Sequence, residues 1–252
     1  MTFWRFAAGQ ATGSAHERLG KPCQDRHRCQ TVEDHRVLIA VVCDGAGTAE
    51  FAHIGAEIAV DTLSSVAQLG VRAGRKDLDA VLREAATLAR QRLVEAAVNR
   101  QVRPRDLACT ALAVILTPMS GAALQIGDGA IVIAEREQAW RCVFWPQKGE
   151  YANSTFFLSD ERAVENASVR MLGDDVSEVA LFSDGLEQLA LHFASRSAHA
   201  PFFRSLFAPL RAVTESGESQ KLSGDLNTLL ASAPVRARTD DDATLVLACR
   251  PG

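Results

Sequence analysis

The chain has no run of the roughly 18 apolar residues that a helix needs to cross a bilayer. Residues Met1 to Gly13 also lack the roughly 7–15-residue apolar stretch of a secretory signal. A cytoplasmic location with no membrane partner is the default expectation. Lysine and arginine are dispersed, apart from small groups such as Arg100 to Arg105, and the formal net charge is −4. Without a basic stripe to neutralise a phosphate backbone, nucleic acid is not an expected partner. The six cysteines (Cys23, Cys29, Cys43, Cys109, Cys142 and Cys249) include no C-x-x-C pair. That absence argues against a cysteine-rich zinc site, and the apolar runs around several of them argue for free, buried thiols. No internal repeat is visible.

What is present is an ordinary globular composition. With 252 residues, 47% hydrophobic and 23% charged, the chain can bury a sizeable core, and a single domain over residues 1–252 is expected. Val37 to Cys43 is an unbroken apolar run, rich in β-branched residues and ended by Asp44-Gly45. It reads as a strand buried on both faces. From Glu50 to about Leu69, and again from Leu78 to Val98, apolar residues recur at helical spacing, predicting two long amphipathic helices.

Cys109 to Thr117, Ala122 to Ile126, Ile131 to Glu135 and Trp140 to Trp145 are punctuated by Pro118 to Ser120 and by Asp128-Gly129, which predicts an antiparallel meander. Val179 to Ser183 is a short buried strand ended by Asp184-Gly185. Leu186 to Phe193, Phe202 to Val213 and Asp225 to Ala231 read as helical, Gly217 to Gly224 as a surface loop, and Ala243 to Cys249 as a closing strand. Strand runs with helices in pairs favour an α+β layered domain over a parallel doubly wound one.

The aspartates carry the chemical signal. Asp44, Asp128 and Asp184 each follow an apolar strand-like run, and Asp240 to Asp242 precede one. Asp-Gly is a turn signal in its own right, and Asp128-Gly129 fits a tight hairpin. Three such turns plus a triple aspartate nevertheless hold more carboxylate than turns require. Carboxylates at strand ends can line one edge of a sandwich, where hard oxygen ligands suit magnesium or manganese. Asp25, after Pro22-Cys23-Gln24, is a further candidate.

Six segments fall in the order seen in type 2C protein phosphatases, and the chain resembles that family over nearly its whole length. They are Gly20-Lys21-Pro22-Cys23-Gln24-Asp25, Val42-Cys43-Asp44-Gly45-Ala46-Gly47, Ala108-Cys109-Thr110-Ala111, Ile126-Gly127-Asp128-Gly129, Phe182-Ser183-Asp184-Gly185 and Asp241-Asp242-Ala243-Thr244. Gly149-Glu150-Tyr151-Ala152-Asn153 also resembles an element of the small bacterial branch, with Asn153 a candidate substrate contact.

The resemblance implies a four-layer αββα sandwich, two antiparallel sheets flanked by helix pairs. It implies hydrolysis of phosphoserine and phosphothreonine on proteins by a hydroxide bridging two Mn2+ or Mg2+ ions. By the family pattern Asp44 bridges the two metals, the Gly45 carbonyl ligates one, and Asp184 and Asp241 hold the other. Asp25 acts directly or through a water, and Asp128 belongs to a third, weaker metal site. The cysteines are then bystanders. A phosphorylated protein substrate, a partner serine/threonine kinase and a monomeric state are implied as well.

Two positions depart from the pattern. The family's phosphate-gripping arginine is replaced by Gly20, with Lys21 beside it as a point-charge substitute for substrate binding. The histidine that often follows the second-motif Asp-Gly is replaced by Ala46, which makes His16 the candidate acid for the leaving oxygen. These departures keep two alternatives open: a catalytically weak phosphatase-like binding module, or a metal-dependent hydrolase of small phosphate esters. Thr110 reads as a structural strand residue, and the phenylalanines Phe193, Phe202, Phe203 and Phe207 as core.

Overall fold

The computed structural model describes residues 3–136, 139–147 and 155–251; the Gly149–Asn153 element lies outside the described residues. One sheet runs in the order β2 (Arg26–Val32), β3 (Val37–Cys43), β4 (Ala111–Leu116), β5 (Gly121–Ile126) and β8 (Ser168–Leu172), all antiparallel. The other runs β12 (Gly217–Glu218), β1 (Arg5–Ala11), β13 (Ala243–Cys249), β9 (Val176–Phe182), β6 (Ala130–Glu135) and β7 (Arg141–Cys142). It is antiparallel except where β12 joins β1. A two-residue ladder, β10 (Leu191–His192) with β11 (Ser197–Ala198), stands apart.

Period-two alternation builds the layers. In β3, Leu38, Ala40 and Val42 face the second sheet, where Val179, Leu181, Val246 and Ala248 meet them. Val37, Ile39, Val41 and Cys43 face outward onto the helices α2 (Ala52–Arg72) and α3 (Leu78–Arg100). On the other side Ala180, Phe182, Leu245 and Leu247 pack under α5 (Ala200–Ala212) and α6 (Gln220–Leu230), through Phe203, Phe207, Leu210 and Leu226. Strands buried on both faces are thus compatible with antiparallel pairing, because helices cover each outer face. The fold is the expected α+β sandwich. No helix among the described residues is long and apolar enough to cross a membrane.

Three differences from the sequence-based expectation have local causes. Asp128-Gly129 is not a hairpin: β5 pairs with β4 and β8 while β6 pairs with β9 and β7, so the turn carries the chain from one sheet to the other. The strand expected over Trp140–Trp145 shrinks to Arg141–Cys142 at the sheet edge. The loop expected over Gly217–Gly224 is a short strand followed by the start of α6. The remaining helices are short: α1 (Ser14–Arg18), α4 (Glu187–Ala190) and α7 (Ala233–Arg236).

Candidate metal centre

The strand ends converge. Asp44 leaves β3 with its backbone pinned on both sides to Thr110: its N–H donates to Thr110 Oγ1 at 3.0 Å, and its carbonyl accepts from the Thr110 N–H at 2.8 Å. Thr110 is structural, as expected, and what it holds is Asp44. Asp25 enters β2, whose Arg26 stands opposite Cys43, so the two aspartates flank neighbouring strand ends. Asp184 leaves β9 and Asp241 enters β13, which pair with each other through Phe182 and Leu245. Asp128 sits in the sheet-crossing turn, where its Oδ2 accepts from Thr155 Oγ1 at 2.5 Å. That turn needs its glycine: Gly129 has φ +75°, and a Cβ there would come within 2.5 Å of the Phe182 carbonyl.

Charge of one sign accumulates here. Both carboxylate oxygens of Asp25 are buried without a well-formed hydrogen bond, as is Oδ1 of Asp184. Burial pushes the Asp25 carboxyl up to about 6, eased by the nearby Ser183 and Thr244 hydroxyls. Burial and then the charges of Asp128 and Asp241 push Asp184 up to about 7. Asp44 is held well above the usual carboxylate range, by burial first and then by Asp25, Asp184 and Asp241. Asp241, at the exposed rim, is raised by desolvation and by Asp242. A cavity of about 500 Å³ lined by Asp184, Glu187, Asp240 and Asp241 opens beside them.

Orphaned buried carboxylate oxygens among like charges are the chemistry of a hard-cation site. Among the described residues no three acidic, histidine or cysteine side chains form a metal-holding cluster, although Asp44 lies within hydrogen-bonding reach of both Asp25 and Asp184. The donor set, all oxygen, fits Mn2+ or Mg2+.

His16 lies on α1 and is 6% exposed. Its Nδ1 stands 3.0 Å from Asp242 Oδ2, and its Nε2 faces Gly47, where an added Cβ would lie 3.8 Å away. Gly47 is next to Ala46, the position where the family's histidine is missing, so a side chain from another segment reaches the same loop. Lys21 extends toward that loop too, with Nζ 3.5 Å from the Gly47 carbonyl.

Asp242 was not singled out in the sequence. It is 1% exposed, and it accepts from the Gly13 N–H through Oδ1 and from the Gln24 N–H through Oδ2, each at 2.6 Å. One carboxylate thus ties β13 to the residue that precedes α1, which carries His16, and to the residue that precedes Asp25. Gly13 makes this possible by close approach, since a Cβ there would sit 2.2 Å from the Asp241 carbonyl carbon. The available signal was the length of the run, three aspartates of which the expected ligand set uses only Asp241. Glu187 was also missed; it is buried and accepts from the Gly129 N–H at 3.1 Å.

All six cysteines are free. Burial pushes the Cys109 thiol up to about 12 and those of Cys142 and Cys249 up to about 11, against any thiolate role. Phe203 and Phe207 are core as expected, whereas Phe193 is 41% exposed and edge-on to Trp145 at 5.5 Å, between the aspartate-lined cavity and a neighbouring one.

The family described as Protein phosphatase 2C matches residues 12–230. The chain is 36% identical to Serine/threonine-protein phosphatase 3 of Escherichia coli K12 over 249 residues, 97% of this chain and 98% of that protein. Among solved structures it is similar to PppA of Pseudomonas aeruginosa, described as a key regulatory component of T6SS; TM-score 0.66, identity 16%, all of both chains covered. It is similar also to RsbX, solved in complex with magnesium; TM-score 0.59, identity 12%, covering 99% of this chain and 96% of that one.

Proposed function

The chain belongs to the protein phosphatase 2C family, a metal-dependent family of serine/threonine protein phosphatases, and on that premise we propose that the aspartate cluster is its catalytic centre. Asp44, Asp184, Asp241 and the Gly45 carbonyl would hold two Mn2+ or Mg2+ ions, with Asp25 contributing directly or through a water and Asp128 at a third, weaker position. When bound, such cations supply a water acidic enough to attack phosphorus near neutral pH and positive charge against the phosphoryl oxygens.

The chain's own groups do the rest. The Lys21 ammonium, held over the second-motif loop, contacts the substrate phosphate as a point charge. The Asp242 carboxylate stands 3.0 Å from the His16 Nδ1 without an aligned hydrogen bond and leaves Nε2 to hand a proton to the departing serine or threonine oxygen. The burial of the Cys43 and Cys109 thiols keeps sulfur out of the chemistry. A phosphoprotein is the substrate; a cytoplasmic, monomeric, single-domain enzyme opposing a serine/threonine kinase completes the proposal.

The observation that carries it is the Asp25 carboxylate, wholly buried without a well-formed hydrogen bond and surrounded by Asp44, Asp184 and Asp242. The test is manganese-dependent release of phosphate from a phosphothreonine peptide by the purified chain, with Asp184→Asn as control. Absence of metal-dependent turnover would leave a binding module in its place. Faster turnover of small phosphate esters than of any phosphopeptide would leave a small-molecule hydrolase.

A further inference from the structure

The opposite end of the second sheet carries a second cavity, of about 570 Å³, lined by Arg5, Arg136, Arg211, Arg250, Trp140 and Glu178 among others. Strand register builds its floor: Arg5 stands opposite Cys249, Cys249 opposite Glu178, and Glu178 opposite Ala134. β13 enters at Asp241 and Asp242 and ends beside this cavity, so the length of the strand separates it from the aspartates.

The acids here are already committed. Glu178 accepts from Arg211 Nε at 2.5 Å and from Trp140 Nε1 at 2.9 Å, and Glu135 is paired with Arg141. Among the described residues the Arg5 guanidinium donates to the Arg211 carbonyl alone, at 3.3 Å. Arg250, 8% exposed, lies over the Trp4 ring and donates to the carbonyls of Val176, Asp174 and Thr117. Arg136 is exposed, and no ion pair joins Arg5, Arg136 or Arg250 to a carboxylate among the described residues. Burial and the nearby Arg136 charge both press Arg250 downward from its usual range, while Asp174 and Asp175, which pull the other way, do not line the cavity. Three cations around one concavity with no ion pair to a carboxylate among the described residues, Glu215 reaching Arg5 only through its longer-range field, on a chain of net charge −4, is an arrangement that like charges oppose unless an anion sits among them.

We propose that this cavity is a binding site for a small phosphate-bearing anion, gripped by the guanidinium groups of Arg5 and Arg136, with Arg250, whose nitrogens are engaged by backbone carbonyls, adding positive charge to its wall. Guanidinium forks match phosphate oxygens in pairs, and the volume lies in the range of about 300–1,000 Å³ typical of small-molecule sites. The site lies outside the catalytic proposal and does not depend on it.

Calorimetric titration of the whole chain with inorganic pyrophosphate and with ADP, in EDTA so that no cation at the aspartates recruits phosphate, tests it. The expected result is one-to-one binding of both probes that weakens with salt. Arg136→Ala and Arg5→Ala should each reduce affinity about tenfold, and Asp184→Asn should leave it unchanged. Arg136 is exposed, so its variant should fold, which circular dichroism checks, and manganese-dependent hydrolysis of p-nitrophenyl phosphate by it should stay at the parent rate. The proposal is overturned by absence of binding at millimolar probe, by unchanged affinity in the Arg5→Ala/Arg136→Ala double variant, by loss on Asp184→Asn, or by citrate binding as tightly as the phosphates.

Discussion

The two ends of the second sheet are electrostatic opposites. At one, Asp184 and Asp241 face Asp25 and Asp44 from the other sheet, and desolvation lifts their carboxyl groups out of the ordinary range. At the other, Arg250 is pressed the opposite way by its own burial and by Arg136. The same strand, β13, serves both. Its middle, Leu245 to Ala248, is fully apolar and buried, so stability is stored in the centre and like charge is concentrated at the rims. Crowding of one charge sign destabilises the protein alone and marks where a ligand of the other sign belongs.

The comparison breaks most sharply with one substitution at each end. Asp44→Asn should lower manganese-dependent phosphatase activity by at least about 100-fold, since the lost charge is one the reaction needs, whereas Arg136→Ala should leave the rate alone. Steady-state assays on folded variants decide it; substantial turnover by Asp44→Asn would end its catalytic assignment. His16→Gln comes next, with kcat expected to fall about 100-fold and KM little changed; an unaltered kcat would reduce the histidine to a structural partner of Asp242.

Asp242→Ala probes the strap rather than the chemistry. It orphans the Gly13 and Gln24 N–H groups, at about 1–3 kcal/mol each, and should lower the melting temperature by several degrees. Asp242→Asn, which still accepts through Oδ1, should recover part of the loss; equal melting of all three proteins would contradict the strap.

The smallest effect concerns pH. With folded-state values of about 6 for Asp25 and about 7 for Asp184, above the unfolded value near 3.9, these groups favour folding at acid pH, and that contribution disappears as pH rises through the folded values. In EDTA, Asp184→Asn should therefore raise the melting temperature more at pH 8 than at pH 5. A gain independent of pH would show that the carboxyl ionises as freely in the fold as outside it.

The residues that ended strands were legible because chemistry and turn propensity coincide at Asp44-Gly45 and Asp184-Gly185. β3, α2 and α3 were legible for the same reason that they are stable: their periodicity is their packing. β1 was not, because Phe6-Ala7-Ala8-Gly9 carries little β propensity and becomes a strand through its neighbours β13 and α6. β2, with Arg26, His27 and Arg28, is an edge strand whose polar residues conceal the alternation. The crossing at Asp128 was misjudged because a turn between sheets and a turn within one ask for the same glycines. His16 and Asp242 could be named from sequence only separately; what joins them is 226 positions of chain folding back on itself (242 minus 16).

Because β13 is threaded between β1 and β9 and brings Asp241 and Asp242 with it, a growing polypeptide that has not yet reached these residues lacks both the central rib of the second sheet and one wall of the aspartate cluster. The pairing of β1 therefore waits across more than 230 positions, as the register of Arg5 with Cys249 requires, and the sheet and the aspartate cluster close together in one late step rather than piece by piece.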